Sequence, residues 1–277
     1  MIEKININNI KKIALEAGDA IMKIYQKDFH IEYKDDNSPL TEADKKSNEI
    51  ICNNLKKLYP NIPILSEENK KIPYETRKDW NYYWCIDPID GTKEFVNKNG
   101  EFTVNIALIH KNQPVIGVVY APVLRSMYYA KQNLGAYKET YDDLNNIINQ
   151  KSLPINTDNN FSENLTVVAS KSHLSPETQK FIDDLESNTQ NLTLTSKGSS
   201  LKLCMIAEGI ADIYPRIAPT MEWDTAAAHT IVKESGKNVY LYDKNINAND
   251  YLLSRNHLLE AISYNKIKLL NSSFVVA

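Results

Sequence analysis

Three cysteines in 277 residues, Cys52, Cys85 and Cys204, stand far apart with no Cys-x-x-Cys pair among them. That argues against a structural zinc site or a disulfide framework and fits a reducing compartment. Nowhere is there an apolar run long enough to cross a bilayer. The start, Met1-Ile2-Glu3-Lys4, runs into a periodic stretch broken by Lys11, Lys12, Glu16 and Asp19, so neither a signal peptide nor a spanning helix is expected. Excess charge is lacking too: 32 Lys and Arg against 35 Asp and Glu leave a net charge of -3. Composition therefore provides no general attraction to nucleic acid polymers or anionic lipid, and any binding of a polyanion must be local. Internal repeats are also missing. What remains is a chain long enough to bury a core, as one unit or as two halves sharing an interface, and expected in the cytoplasm.

The patterning predicts an amphipathic helix over 5–25, where Ile10, Ile13, Ala14, Ala17, Ile21 and Ile24 recur at helical spacing, and a second over 42–58, closed by Pro60. A short strand over 63–66 ends at Glu67. From Tyr82 to Tyr137 the period shortens to that of strands, at 83–86, 103–109, 114–120 and 126–130, which predicts an antiparallel sheet. The stretch from Glu139 to Asn160 is rich in Asn, Asp and Gln and is the expected seam between an N-terminal half, 1–150, and a C-terminal half, 151–277. Beyond it, strands are expected at 165–169, 211–214 and 239–242, and helices at 175–185, 200–208 and 224–234. Helices and sheets thus alternate in an α+β layered fold. The sixteen tyrosines are expected mainly in core and sheet positions.

Asp87-Pro88-Ile89-Asp90-Gly91-Thr92 follows the apolar strand 83–86 and presents two carboxylates across a Pro-initiated turn. Magnesium takes hard oxygen ligands and keeps several waters, so two or three carboxylates and a backbone carbonyl such as that of Ile89 suffice to hold it. Gly91 permits a tight reversal, after which backbone amides can face a phosphate. Alone, the hexapeptide also fits an ordinary turn with side-chain-to-backbone bonds. Two further acidic groups accompany it: Glu67-Glu68 after a strand, and Glu222-Trp223-Asp224 before an alanine-rich helix. Asp224 also reads as a helix N-cap, and Thr41-Glu42-Ala43-Asp44 as a capping box.

Taken in order, Ser38-Pro39-Leu40-Thr41-Glu42-Ala43-Asp44, Leu65-Ser66-Glu67-Glu68, the 87–92 motif and Glu222-Trp223-Asp224-Thr225-Ala226-Ala227-Ala228-His229 resemble the inositol monophosphatase superfamily of lithium-sensitive, metal-dependent phosphatases, over nearly the whole chain. Within it, Lys93-Glu94-Phe95, the run 99–106, Lys197-Gly198-Ser199-Ser200-Leu201-Lys202 and Tyr214-Pro215-Arg216 are similar to the bacterial 3'(2'),5'-bisphosphate nucleotidase branch; inositol monophosphatases usually carry Asn-Phe where Lys-Glu-Phe stands here. The resemblance implies an alternating αβαβα sandwich. It implies that Glu67, Asp87 and the Ile89 carbonyl hold one Mg2+, that Asp87, Asp90 and Asp224 hold a second, and that Asp44 sits with Thr92 beside the attacking water. Bacterial relatives of this kind are also described as peripheral on the cytoplasmic face of the inner membrane.

Four carboxylates, Glu67, Asp87, Asp90 and Asp224, balance two divalent ions, and an arriving phosphate dianion can recruit a third. Glu67, Thr92 and Asp44 are the expected catalytic group, with the Gly91 and Thr92 amides on the phosphate. Ser199, Lys202 and Arg216 are the candidates for a second phosphate, since Lys and Arg pair with it, and His173 for the adenosine part. Lys202 and His173 also fit plain surface positions. Trp223 and His229 are expected to pack rather than to ligate. The substrate implied is a small nucleotide bisphosphate. An inositol or sugar monophosphatase would share the same cage, and a non-catalytic nucleotide sensor would be expected to lack Thr92, Asp44 or one of the ligands.

Overall fold

The computed structural model describes residues 2–27, 29, 31–33, 39–69, 72–156, 160–169, 174–254 and 257–277. A 3-10 turn at Ile2–Lys4 precedes helix α1 (Ile7–Tyr25), which starts at Asn6 because that side chain accepts the Asn8 amide at 3.0 Å. Strands β1 (Ile31–Tyr33) and β2 (Pro39–Thr41) pair antiparallel and feed directly into α2 (Glu42–Leu58).

Seven strands then form one sheet: β3 (Ile64–Ser66), β4 (Tyr82–Asp90), β5 (Thr103–His110), β6 (Gln113–Ala121), β7 (Ser126–Lys131), β8 (Ala136–Tyr141) and β9 (Ile147–Leu153) lie side by side in that order. β3 runs parallel to β4, and every later neighbour is antiparallel. Short helices α3 (Tyr74–Arg77) and α4 (Thr92–Val96) flank β4. The chain continues through β10 (Asn164–Val168), α5 (Pro176–Glu186), β11 (Asn191–Thr195), α6 (Leu201–Glu208), β12 (Tyr214–Arg216), α7 (Glu222–Glu234), β13 (Val239–Leu241), α8 (Ala248–Leu252) and β14 (Phe274–Val276).

The period of two along each strand splits the large sheet between two cores. Trp84, Ile86, Ile106, Leu108, Ile116 and Val118 pack with Ile10, Ile13, Ala17 and Ile21 of α1 and Ile51 and Leu55 of α2. Tyr83, Cys85, Ala107, Ile109 and Val119 face the other way, onto α6 and α7. A second sheet region lies beyond those helices: β14 sits between β12 and β13, β10 pairs parallel with β11, and Val167 bridges to Ile213. Its outer face, Leu165, Val167 and Val275, buries Phe181 and Leu185 of α5 and Tyr251 of α8. The resulting succession is αβαβα, the sandwich expected from the resemblance.

The polar stretch expected as a seam carries the end of β8 and all of β9, and residue 150 falls inside β9. Glu139, 1% exposed, is neutralised in the interior by Lys11 at 2.7 Å and accepts Tyr129 Oη at 3.0 Å, with Tyr141 Oη on its other oxygen. A second buried acid, Glu208 at the end of α6, takes Tyr128 Oη at 2.6 Å and Lys138 Nζ at 2.7 Å, which ties α6 to the sheet. Strand β12 begins at Tyr214 rather than at Ala211, and the short β11, α8 and β14 had no counterpart in the sequence reading.

Helix α7 lies directly on the sheet because Ala226, Ala227 and Ala228 meet a glycine. A methyl on Gly117 would come within 2.1 Å of the Ala227 carbonyl oxygen. Gly117→Ala is therefore expected to destabilise the protein by about 3 kcal/mol, the upper end of ordinary overpacking, because a backbone atom has to move. Urea unfolding checks it, and a change within about 0.5 kcal/mol, the scale of a neutral surface substitution, would contradict this close packing.

Candidate active site

The site gathers where β4 ends and where α2, α6 and α7 begin. Asp87 and Asp90 close β4, whose pairing with β5 is interrupted between these two residues. That irregularity re-aims the carboxylates away from strict alternation. Asp87 is 1% exposed and its Oδ1 accepts the Ile89 amide at 3.1 Å. Asp90 Oδ2 accepts the Ser200 amide at 2.6 Å and Asn105 Nδ2 at 3.3 Å. The Pro88 carbonyl is held by Ser47 Oγ of α2 at 2.8 Å.

Asp44 and Asp224 both occupy the third position of their helices and cap the helix start. Asp44 Oδ2 takes the Thr41 amide at 2.8 Å and Thr41 Oγ1 at 2.7 Å, while its Oδ1 receives Thr92 Oγ1 at 3.2 Å. Asp224 is not the N-cap of α7: that helix starts two residues earlier, at Glu222, and Asp224 Oδ2 takes the Met221 amide at 2.8 Å. In the capping-box arrangement one carboxylate oxygen serves the helix start. Glu222, 0% exposed, fixes the same turn by accepting the Asn265 and Lys266 amides at 2.7 and 3.0 Å and Lys266 Nζ at 2.8 Å.

The carboxylates feel one another. Burial first, then the charges of Glu67, Asp90 and Asp224, push the Asp87 carboxyl well above the usual range. Burial raises Asp224 to about 8, with Asp90 adding to it. Burial raises Asp90 to about 6, where Lys202 and the Ser200 amide hold it back. Among the described residues no cation forms an ion pair with Asp87, Asp90 or Asp224. Nor do three His, Cys, Asp or Glu side chains among them converge on one point. Asp87, Asp90 and Asp224, expected around one ion, each accept a backbone amide, from Ile89, Ser200 and Met221 respectively. The donor chemistry nevertheless suits magnesium: carboxylates and carbonyls, without sulfur or imidazole.

Asp90 and Asp224 also line a cavity of about 540 Å³, whose walls include Gly91, Ser199, Lys202 and Arg216. Lys202 lies inside it, with Nζ at 2.9 Å from the Lys197 carbonyl and 3.2 Å from that of Ser199; burial lowers its pKa, against the raising effect of Asp90. Arg216 donates to the Pro219 carbonyl at 3.3 Å, while its buried Nε has no protein partner. Gly91, with φ of 90°, needs the left-handed region that glycine enters freely, and Thr92 then opens α4.

Of the residues expected to contact a nucleotide, Ser199, Lys202 and Arg216 share this cavity, whereas His173 lies outside the described residues. Glu67 follows β3 beside Asp87, its amide donating to the Ile86 carbonyl at 3.1 Å. His229 is a packing residue: 0% exposed, it sits between Tyr264 Oη at 2.9 Å and Asn238 Oδ1 at 3.1 Å, and burial lowers its pKa to about 4. Trp223 packs against the core shared by the sheet and α7.

Sequence reasoning did not pick out Glu94 and Glu101, which also line the cavity. Glu101 clamps the 197–200 loop, taking the Gly198 amide at 2.7 Å and Lys197 Nζ at 3.1 Å. Their one signal was position, inside the two segments that set this sequence apart from inositol monophosphatases.

Mutually repelling carboxylates beside the cations Lys202 and Arg216 suit a phosphate ester that arrives with divalent metal, the requirement of the metal-dependent phosphatases. Comparison with known proteins agrees: the inositol monophosphatase family model matches residues 4–274, and the chain belongs to that family. It is 44% identical over 236 residues to the 3'(2'),5'-bisphosphate nucleotidase CysQ of Salmonella typhimurium, covering 84% of this chain and 89% of the relative. The CysQ of Escherichia coli K12 is 42% identical over the same shares. Among solved structures, CysQ of Bacteroides thetaiotaomicron superposes with a TM-score of 0.81 at 41% identity, over 99% of this chain and 97% of the other. An inositol monophosphatase of Staphylococcus aureus, at 20% identity and a TM-score of 0.69, shares the fold over 98% of this chain and 87% of its own.

Proposed function

We propose that this chain is a magnesium-dependent 3'(2'),5'-bisphosphate nucleotidase that hydrolyses adenosine 3',5'-bisphosphate to AMP and phosphate. The observation that carries the reading is a single cavity lined both by the carboxylates Asp90 and Asp224 and by the cations Lys202 and Arg216. A substrate with two phosphates has one for each. Glu67, Asp87 and the Ile89 carbonyl would hold one ion, and Asp87, Asp90 and Asp224 a second, with a third recruited by the phosphate. Magnesium, when bound, offsets the charge of the reacting phosphate and makes nearby water more acidic.

The protein's own groups supply orientation. Thr92 Oγ1 lies 3.2 Å from both Asp44 Oδ1 and the Ile89 carbonyl. Its one proton is therefore directed inward, which leaves a lone pair to accept from the attacking water. Glu67 shares the task of orienting or deprotonating that water, and the Gly91 and Thr92 amides face the phosphate oxygens. Ser199, Lys202 and Arg216 take the second phosphate.

Phosphate release from adenosine 3',5'-bisphosphate, inositol 1-phosphate and fructose 1,6-bisphosphate, in magnesium with and without lithium, tests the reading. The nucleotide is expected to win over inositol 1-phosphate by about 100-fold in kcat/KM, as one or two charged hydrogen bonds to the second phosphate allow. Preference for the inositol or sugar phosphate would overturn the nucleotidase assignment and keep the cage.

A further inference from the structure

Glu94 stands on α4 between two glycines. Its Oε2 would be 3.2 Å from a methyl on Gly91, and its Cγ 2.9 Å from one on Gly198. The missing side chains leave the space that this carboxylate fills, against the residue that joins Asp90 to Thr92. It lines the cavity. Unlike Glu101, which is committed to the Gly198 amide and Lys197, Glu94 makes no side-chain hydrogen bond or ion pair among the described residues.

A carboxylate accepts hydrogen bonds and repels phosphate oxygens, so its partner in the substrate has to be a donor. A nucleoside bisphosphate offers two kinds, the ribose hydroxyl and the amine of the base. With the reacting phosphate at Asp90 and Thr92, the donor nearest to Gly91 is the hydroxyl on the carbon next to the scissile ester; the base amine lies at the far end of the nucleoside. We infer that Glu94 reads this vicinal hydroxyl and makes the site selective for ribonucleotide over 2'-deoxyribonucleotide bisphosphates. The inference rests on the nucleotidase reading. It applies equally to the 2',5' isomer, whose 3'-hydroxyl is the free neighbour, and it gives a physical role to the Lys-Glu-Phe sequence that follows Thr92.

The test compares kcat/KM for adenosine 3',5'-bisphosphate and its 2'-deoxy analogue in saturating magnesium, for the wild type, Glu94→Gln and Glu94→Ala. The wild type is expected to favour the ribonucleotide by about 10- to 100-fold, the range of one hydrogen bond to a charged group. Glu94→Ala should bring that ratio to within about threefold of one, with Glu94→Gln, which keeps an acceptor but no charge, in between. The ratio is the readout, because a residue that merely shaped α4 would slow both substrates alike. A wild-type ratio near one, or a ratio unchanged in Glu94→Ala, overturns the inference while leaving the nucleotidase reading intact. Wild-type enzyme that hydrolyses neither bisphosphate but does hydrolyse inositol 1-phosphate overturns both.

Discussion

Asp90→Asn is expected to lower phosphate release by roughly 1,000-fold while leaving the fold in place. The substitution is nearly isosteric, and its amide oxygen still accepts the Ser200 amide that Asp90 Oδ2 now takes at 2.6 Å. What it removes is one negative charge from the four proposed carboxylate ligands. Charge stabilisation by a bound metal contributes several kcal/mol to a transition state, and about 4 kcal/mol corresponds to that factor in rate. Metal-free Asp90→Asn should also be no less stable than the metal-free wild type, since burial and like charges already raise the carboxyls of Asp87, Asp90 and Asp224. Activity within tenfold of wild type, with magnesium controlled, would remove Asp90 from the proposed cage; this tolerance is roughly what loss of an outer-shell partner costs.

Without magnesium, stability is expected to fall as pH rises from about 5 to 8, and with saturating magnesium that slope should flatten. Asp90 and Asp224 have folded-state values of about 6 and about 8 against a reference of 3.8. The native state therefore binds more protons than the unfolded chain across this interval. Raising the pH removes those protons at the native state's expense, the opposite of a salt-bridged carboxylate, whose stability is lost on acidification. At about 1.4 kcal/mol per pKa unit, and with two coupled groups sharing the effect, the loss is on the order of 4 kcal/mol. Ligand at a hundred times its dissociation constant restores about 2.7 kcal/mol. Urea melts at several pH values, with chelator and with magnesium, measure both. Identical pH slopes in the two conditions would show that the cluster does not bind the metal.

Helices α1 and α2 and strands β4 to β7 were legible because each buries one face, and burial of one face writes its period into the chain. Short elements carry no such period. β11 is polar and largely exposed, and β14 is only three residues long. The stretch from Glu139 onward reads as a polar seam by composition, yet Glu139 is buried and paired with Lys11 from 128 residues away. The site divides in the same manner. Asp87 and Asp90 stand together in one short motif, so local spacing marks them. Glu94 and Glu101 look like ordinary surface acids until the 197–200 loop folds over them.

The 87–92 motif alone also fits an ordinary turn, and Glu67, Asp44 and Asp224 in family order distinguish it from one. By itself the sequence determined the kind of chemistry, hard-oxygen donors in family order, and the identity of the long elements, because both depend on residue type and near-neighbour spacing. Only the tertiary structure decided how the donors are used. It made Asp44 and Asp224 third-position caps, turned Asp90 onto the Ser200 amide, and put Lys202, Arg216 and Glu94 around one cavity. Those outcomes depend on which distant segments meet, and a carboxylate's role is set by the donors and charges that folding brings within reach of it.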